Sequence, residues 1–318
     1  MGYAYSVTMR QYTVLVEGVE ADDLSLRTLR DLCDLLTEGA ARSARLAAEG
    51  RSTARGGAAP AWILNAADLH VTRFAKGSLN LGVQAKPFVE VAPDLFAQQV
   101  LSIVKPTIDQ DDTALDLFIE ATDDAAAGRR NSDRLDPGVL EVLARTGALF
   151  AGNTATRLSI SGGRRTSTTI LDAQVASGIR ALAESTPSSR VQRVSGVLDQ
   201  LTASTQAFGL KLDGGALLRG YAGSVGLDVL KPLLGARVVV EGLATFRPSG
   251  DAARIELESV RRAGSGDVLW AKLPHVDPVA SKARPPIADV GSRLDALFGS
   301  WPGDETDEEL ARALADFG

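Results

Sequence analysis

The chain has one cysteine, Cys33, which excludes an internal disulfide. Set among Leu29, Leu32 and Leu36, it reads as core packing and not as a reactive thiol. Only two histidines are present, His70 and His275. Zinc sites of the Cys/His type, two-histidine metal sites and most metalloprotease motifs therefore lack ligands. A Ser-His-Asp triad would need one of the two, and the Gly-x-Ser-x-Gly elbow is missing. His70 falls in a strand-like run and His275 in a Pro-containing stretch, and neither setting points to catalysis. No run reaches the roughly 18–20 uninterrupted apolar residues that span a bilayer. The start, residues 1–6, has neither the basic nor the apolar part of a signal peptide, so a cytoplasmic location is expected. Basic charge is also in deficit. Lys+Arg total 34 against 40 Asp+Glu, and the net charge of -6 opposes broad attraction to nucleic acid or anionic membrane.

What is present suits a globular protein. At 318 residues, 45% hydrophobic and 23% charged, the chain is long enough for two domains and an extension. Arginine far outnumbers lysine and alanine is abundant, a composition typical of GC-rich bacterial genomes.

The expected fold class is α+β. An N-terminal domain over 1–185 opens with a strand at 11–17, where Tyr12, Val14 and Val16 share a face. A helix over 24–48 follows, opened by Asp22 and Asp23, with Leu29, Leu32, Cys33 and Leu36 at helical spacing. A Gly/Ala/Ser-rich loop over 50–60 leads to paired strands at 69–74 and 78–83, turned at Gly77. Helices are expected over 93–104, 113–127 and 136–150. A second hairpin, 157–161 with 164–170, turns on Gly162-Gly163. The string from Ser161 to Ser167 superficially suggests a phosphate loop, but it lacks Gly-Lys-Ser/Thr and a strand-to-helix exit. A helix over 171–183 and a linker over 184–189 close the domain.

Residues 190–262 read as a small OB-like barrel, with strands at 191–201, 207–213 and 217–221, a helix at 227–234, then strands at 237–246 and 254–260. Val238, Val240, Gly242, Ala244 and Phe246 alternate inward against Glu241 and Thr245. Single-stranded nucleic acid would need a basic groove and aromatic platforms. Arg193, Lys211, Arg219 and Tyr221 are the candidate contacts, although Glu241, Glu256 and Glu258 balance the charge. Acidic residues Asp109, Asp111 and Asp112 allow a third reading, a carboxylate-metal enzyme. At a helix edge, however, such residues commonly cap or face water.

Residues 263–318 read as a Pro-containing linker and an acidic amphipathic tail. Pro274, Pro278, Pro285 and Pro286 interrupt regular structure. Thr306 and Glu309 form a capping box, and Leu310, Ala313, Leu314 and Phe317 make one apolar stripe. Asp304, Glu305, Asp307, Glu308, Glu309 and Asp316 face only Arg312. So short a helix is marginal alone and needs a surface, its own body or a partner's. The string Gly299-Ser-Trp-Pro-Gly-Asp-Glu-Thr-Asp-Glu-Glu-Leu310 resembles the end of bacterial antitoxins paired with PIN-domain ribonucleases. In that family a Gly-x-Trp element precedes a short acidic segment that wraps the toxin and blocks its active site. The resemblance is confined to residues 299–318; the body has no DNA-binding ribbon or helix-turn-helix. It implies a non-catalytic protein-binding regulator without cofactor or metal. Trp301, Leu310, Leu314 and Phe317 would be the anchors, and Asp304, Glu305, Asp307, Glu308 and Glu309 would complement a basic RNA-binding surface on a toxin nuclease.

Overall fold

A computed structural model describes residues 9–278 except 21, 23, 54–58, 76–77, 94–107, 152–154, 204–205 and 224. The chain divides into two units, residues 1–279 and 280–318. The expected tail helix with its anchors, the Gly77 turn and nearly all of the helix expected over 93–104 lie outside the described residues.

The first sheet is built around β1 (Arg10–Glu20). It pairs antiparallel with β3 (Ser78–Ala85) on one side and β4 (Arg157–Gly162) on the other, while β2 (His70–Ala75) and β5 (Arg165–Leu171) form the edges. Alternation dictates the register. Val14 stands opposite both Leu81 and Ile160, and all three are buried beneath the helices. The second hairpin thus extends the first sheet.

The helices cover the buried face of this sheet. Helix α1 (Leu26–Glu49) starts at Ser25, whose hydroxyl accepts the Thr28 amide, and not at Asp22 and Asp23; it ends at Gly50 with φ of 72°. Short helices α2 (Ala61–Ala66) and α3 (Phe88–Val91), without a strong periodic signal, pack a small cluster that includes Phe88, Ala40 and Ala44. Helix α4 (Ala114–Ala126) begins with a Thr113–Asp116 capping box, and its Phe118 ring lies so close to α1 that a Cβ on Gly39 would fall 2.4 Å from it. The helix expected over 136–150 is two, α5 (Pro137–Ala144) and α6 (Thr146–Phe150). The break follows from tightening at Arg145, whose amide bonds Val142, and from the Thr146 hydroxyl returning to the Leu143 carbonyl at 2.7 Å. Helix α7 (Ala173–Ser185) is capped by Asp172 and runs almost directly into the next strand. Cys33 is half-buried and outside the core, a correction to the sequence reading, and burial raises its thiol pKa.

The second body is a closed barrel of β6 (Arg190–Thr202), β7 (Ala207–Lys211), β8 (Leu217–Tyr221), β9 (Arg237–Phe246) and β10 (Ala252–Arg262). Between β8 and β9 lies α8 (Leu227–Leu230), continued by a 3-10 turn, Lys231–Leu233. Going round the barrel the order is β6-β7-β8-β10-β9, with β8 and β10 parallel and every other pair antiparallel. Val194, Leu210, Val240, Phe246 and Ile255 fill the interior. Gly220 is required beside Phe208, because a Cβ there would sit 2.1 Å from the ring.

The alternation of β9 holds, but Val239 and Thr245 on its outer side are also buried. The chain after 262 is therefore not a tether throughout. It forms a 3-10 segment, Ser265–Trp270, that packs on β6, and Trp270 stacks with the Arg193 guanidinium 4.8 Å from the ring. Farther on, the Ala252 amide bonds Pro274 and the Val276 amide bonds Gly250, both at 2.8 Å, while Leu273 and Val276 pack on the barrel core. No helix among the described residues is long and apolar enough to cross a membrane.

The 3-10 segment carries a pH dependence. Arg261 donates to both Asp267 oxygens at 2.6 and 2.7 Å and the Gly264 amide adds a third bond, holding the Asp267 carboxyl down to about 2. Its folded pKa is below the ordinary value of 3.8, so the stabilisation is present above about 3.8 and is lost as pH falls through about 2. Fluorescence of Trp270, with Trp62 and Trp301 replaced by phenylalanine, is expected to hold steady on acidification to about pH 4 and to change below it. A change completed above about pH 5 would contradict this assignment.

Candidate binding surface on the barrel

Strands β7 and β8 expose one shared outer face. Gly209 stands opposite Arg219 and Lys211 opposite Leu217, and Tyr221 follows Arg219 two residues on, so these side chains project to the same side. Lys211, Leu217 and Arg219 are exposed. Neither Lys211 nor Arg219 has an ion-pair partner among the described residues. Gln200 and Leu217 close over Gly209, where a Cβ would come within 3.2 Å of each.

Two of the four residues expected to contact nucleic acid are engaged otherwise. Arg193 lies on β6, away from this face, with a bifurcated pair of bonds to Glu241 at 2.6 and 3.0 Å and its guanidinium on Trp270. Tyr221 is covered by Arg51, whose guanidinium carbon is 4.6 Å from the ring centroid. Arg51 in turn reaches Glu49 at 3.2 Å and Glu256 at 3.9 Å. The structure thus brings Lys211, Arg219 and Tyr221 together and removes Arg193 from the set.

The cover on Tyr221 belongs to a junction between the sheet body and the barrel. Its centre is Asp136, 2% exposed, which accepts from the Ser52 amide (3.1 Å), the Ser52 hydroxyl (2.6 Å), the Val139 amide (2.9 Å) and Arg254 Nη2 (3.1 Å). One carboxylate therefore caps α5, fixes the loop after α1 and anchors β10. Burial lowers the Arg254 pKa, partly offset by Asp136, and its Nη1 has no hydrogen-bond partner. The turn between β9 and β10 adds Arg247 to Asp133 at 2.6 Å and the Ser249 amide to the Arg130 carbonyl at 3.0 Å. Sequence reasoning missed this junction because Asp136-Pro137 already reads completely as a helix cap; nothing in the local pattern signals a partner at Arg254.

Two of the three acidic groups of the metal reading, Asp109 and Asp112, are paired with one of the protein's own arginines. Arg164 Nη1 lies 2.9 Å from Asp109 and 3.0 Å from Asp112. The Asp111 amide and Arg164 lower the Asp109 pKa, while burial raises that of Asp112. Asp111 contributes its amide to Asp109. Asp123 bonds Arg165 and Thr169, and Asp124 bonds Arg129 and Ser132. Among the described residues no three His, Cys, Asp or Glu side chains are placed to hold a metal. Beside the Gly162-Gly163 turn Arg164 is exposed and Arg165 is half-buried. His70 pairs with Asp68 and His275 with Asp251, whose hydrogen bond raises the His275 pKa.

Comparisons with protein-family models, with curated proteins and with solved structures each gave no significant match.

Proposed function

We propose that this is a non-catalytic, cytoplasmic binding protein that restrains a protein partner through its C-terminal segment, in the manner of an antitoxin acting on a PIN-type nuclease. The observation that carries this reading is the amphipathic, acid-rich sequence of 299–318. Trp301, Leu310, Leu314 and Phe317 supply its apolar anchors. Asp304, Glu305, Asp307, Glu308 and Glu309 match a basic, RNA-binding surface and speed encounter with it. The pairing of Asp109, Asp112, Asp123, Asp124 and Asp136 with arginines favours a binding role over carboxylate-metal chemistry. The test is affinity purification of the full chain and of a chain ending at residue 298. A partner protein is expected with the first and not the second, with nearly equal melting temperatures. A large loss of stability on truncation would instead mean that the tail serves its own body.

A second reading, single-strand nucleic-acid binding by an OB-type barrel, is favoured by the strand order. Three strands, a short helix and two strands close with the third and fifth parallel, which supports an OB reading. The face that would carry a strand holds Lys211 and Arg219 for phosphates and Tyr221 for a base. Binding would weaken with salt.

A further inference from the structure

We infer that Arg51 is an autoinhibitory cap that denies Tyr221 to a nucleic-acid base, an inference that rests on the single-strand reading of the barrel. A base stacks on an aromatic ring only where a face of that ring is open. Here the Arg51 guanidinium lies over the ring at 4.6 Å, occupying a stacking position with a planar cation. The cap is held from both bodies at once. Glu49 at the end of α1 lies 3.2 Å from Arg51 Nε, and Glu256 on β10 lies 3.9 Å from Nη1. Two residues before Glu256, Arg254 is fastened to Asp136, and the adjoining β9–β10 turn is tied to Arg130 and Asp133. The sheet body therefore sits on one end of the β7–β8 face. The other end, with Lys211, Leu217 and Arg219, stays open.

A single strand can reach Lys211 and Arg219 through its phosphates, but it gains a stacking contact on the covered face of Tyr221 by displacing Arg51. Full binding is then coupled to release of the Arg51 side chain from Tyr221. An event that draws that side chain away would switch the face from weak to strong binding.

The test measures binding of a fluorescent thymidine oligomer at low salt by the full-length protein, by Arg51→Ala and by Arg51→Ala/Tyr221→Ala. The cap requires roughly tenfold tighter binding by Arg51→Ala than by the unaltered chain, in line with the strength of a desolvated cation–π contact, and loss of that gain in the double variant. Should Arg51→Ala lower the melting temperature sharply, Arg51→Gln, which keeps most of the stem and removes the cation, must show the same direction. If the unaltered chain binds and neither Arg51 variant binds more tightly, the cap is overturned while the single-strand reading stands. If no version retains the oligomer at low salt, both are overturned.

Discussion

Asp136→Ala is expected to destabilise the folded body by about 3–5 kcal/mol, the range for removing one partner of a buried ion pair. The carboxylate leaves three dependants. Helix α5 loses the bond from Val139, a cap worth about 1 kcal/mol by itself. Ser52, buried at 3% exposure, loses the acceptor for both its amide and its hydroxyl. Arg254 is left buried without the carboxylate that hydrogen-bonds it, and its Nη1 already lacks a hydrogen-bond partner. Asp136→Asn can keep part of the cap and the Ser52 contact, so a smaller loss is expected. Asp136→Ala combined with Arg254→Met is expected to recover part of the loss of the single variant, because the stranded charge is gone. Urea unfolding measures all three. A loss below about 1 kcal/mol for Asp136→Ala would mean that the junction contributes little and that the barrel is held by other contacts.

Phe118→Ala should cost a similar amount, about 3–5 kcal/mol, for a different reason. The ring is 1% exposed and lies against the α1 backbone at Gly39, so its removal opens a cavity between two helices that cannot easily close. The same closeness makes Gly39→Ala destabilising, although alanine by itself favours a helix by about 1 kcal/mol. The two changes are complementary in volume. The double variant Gly39→Ala/Phe118→Ala is therefore expected to lose less than the sum of the singles. Additivity within about 0.3–0.5 kcal/mol would contradict the direct contact.

Period-two and helical patterns carried most of the architecture into the sequence. Val14 and Val16, or Val238 and Val240, point to one side of a strand whatever lies around them, and Thr113 with Asp116 marks a helix start locally. The succession of strands and a short helix over 190–262 is legible by counting such segments. What was not legible depends on distant partners. Ser52 lies in a stretch whose composition reads as a loop, and it is buried because Asp136, 84 positions away, receives it. The segment after 262 reads as a tether for its Gly and Pro content, but Arg261, Asp267 and Trp270 fix it on the barrel through side chains. A 3-10 turn and two isolated backbone bonds leave no periodic trace.

The candidate sites show the same division. Lys211, Arg219 and Tyr221 share one outer face of β7 and β8, as the register shows. Arg193 was grouped with them by charge, but one strand over it meets Glu241 and Trp270. Charge counting could not show that Arg51, from another body, would cover the aromatic ring of the set. Nor could it show that Arg164 would stand between Asp109 and Asp112.

The proposed restraint of a partner stands or falls with the apolar stripe of the C-terminal segment. The most direct measurement compares the protein partner recovered with the full-length chain and with Leu310→Asp/Leu314→Asp, at equal expression and with unfolding of the body checked by urea. Stoichiometric recovery with the unaltered chain and none with the variant, at unchanged body stability, is the expected result. Equal recovery with both chains, or no protein recovered with either, would contradict it.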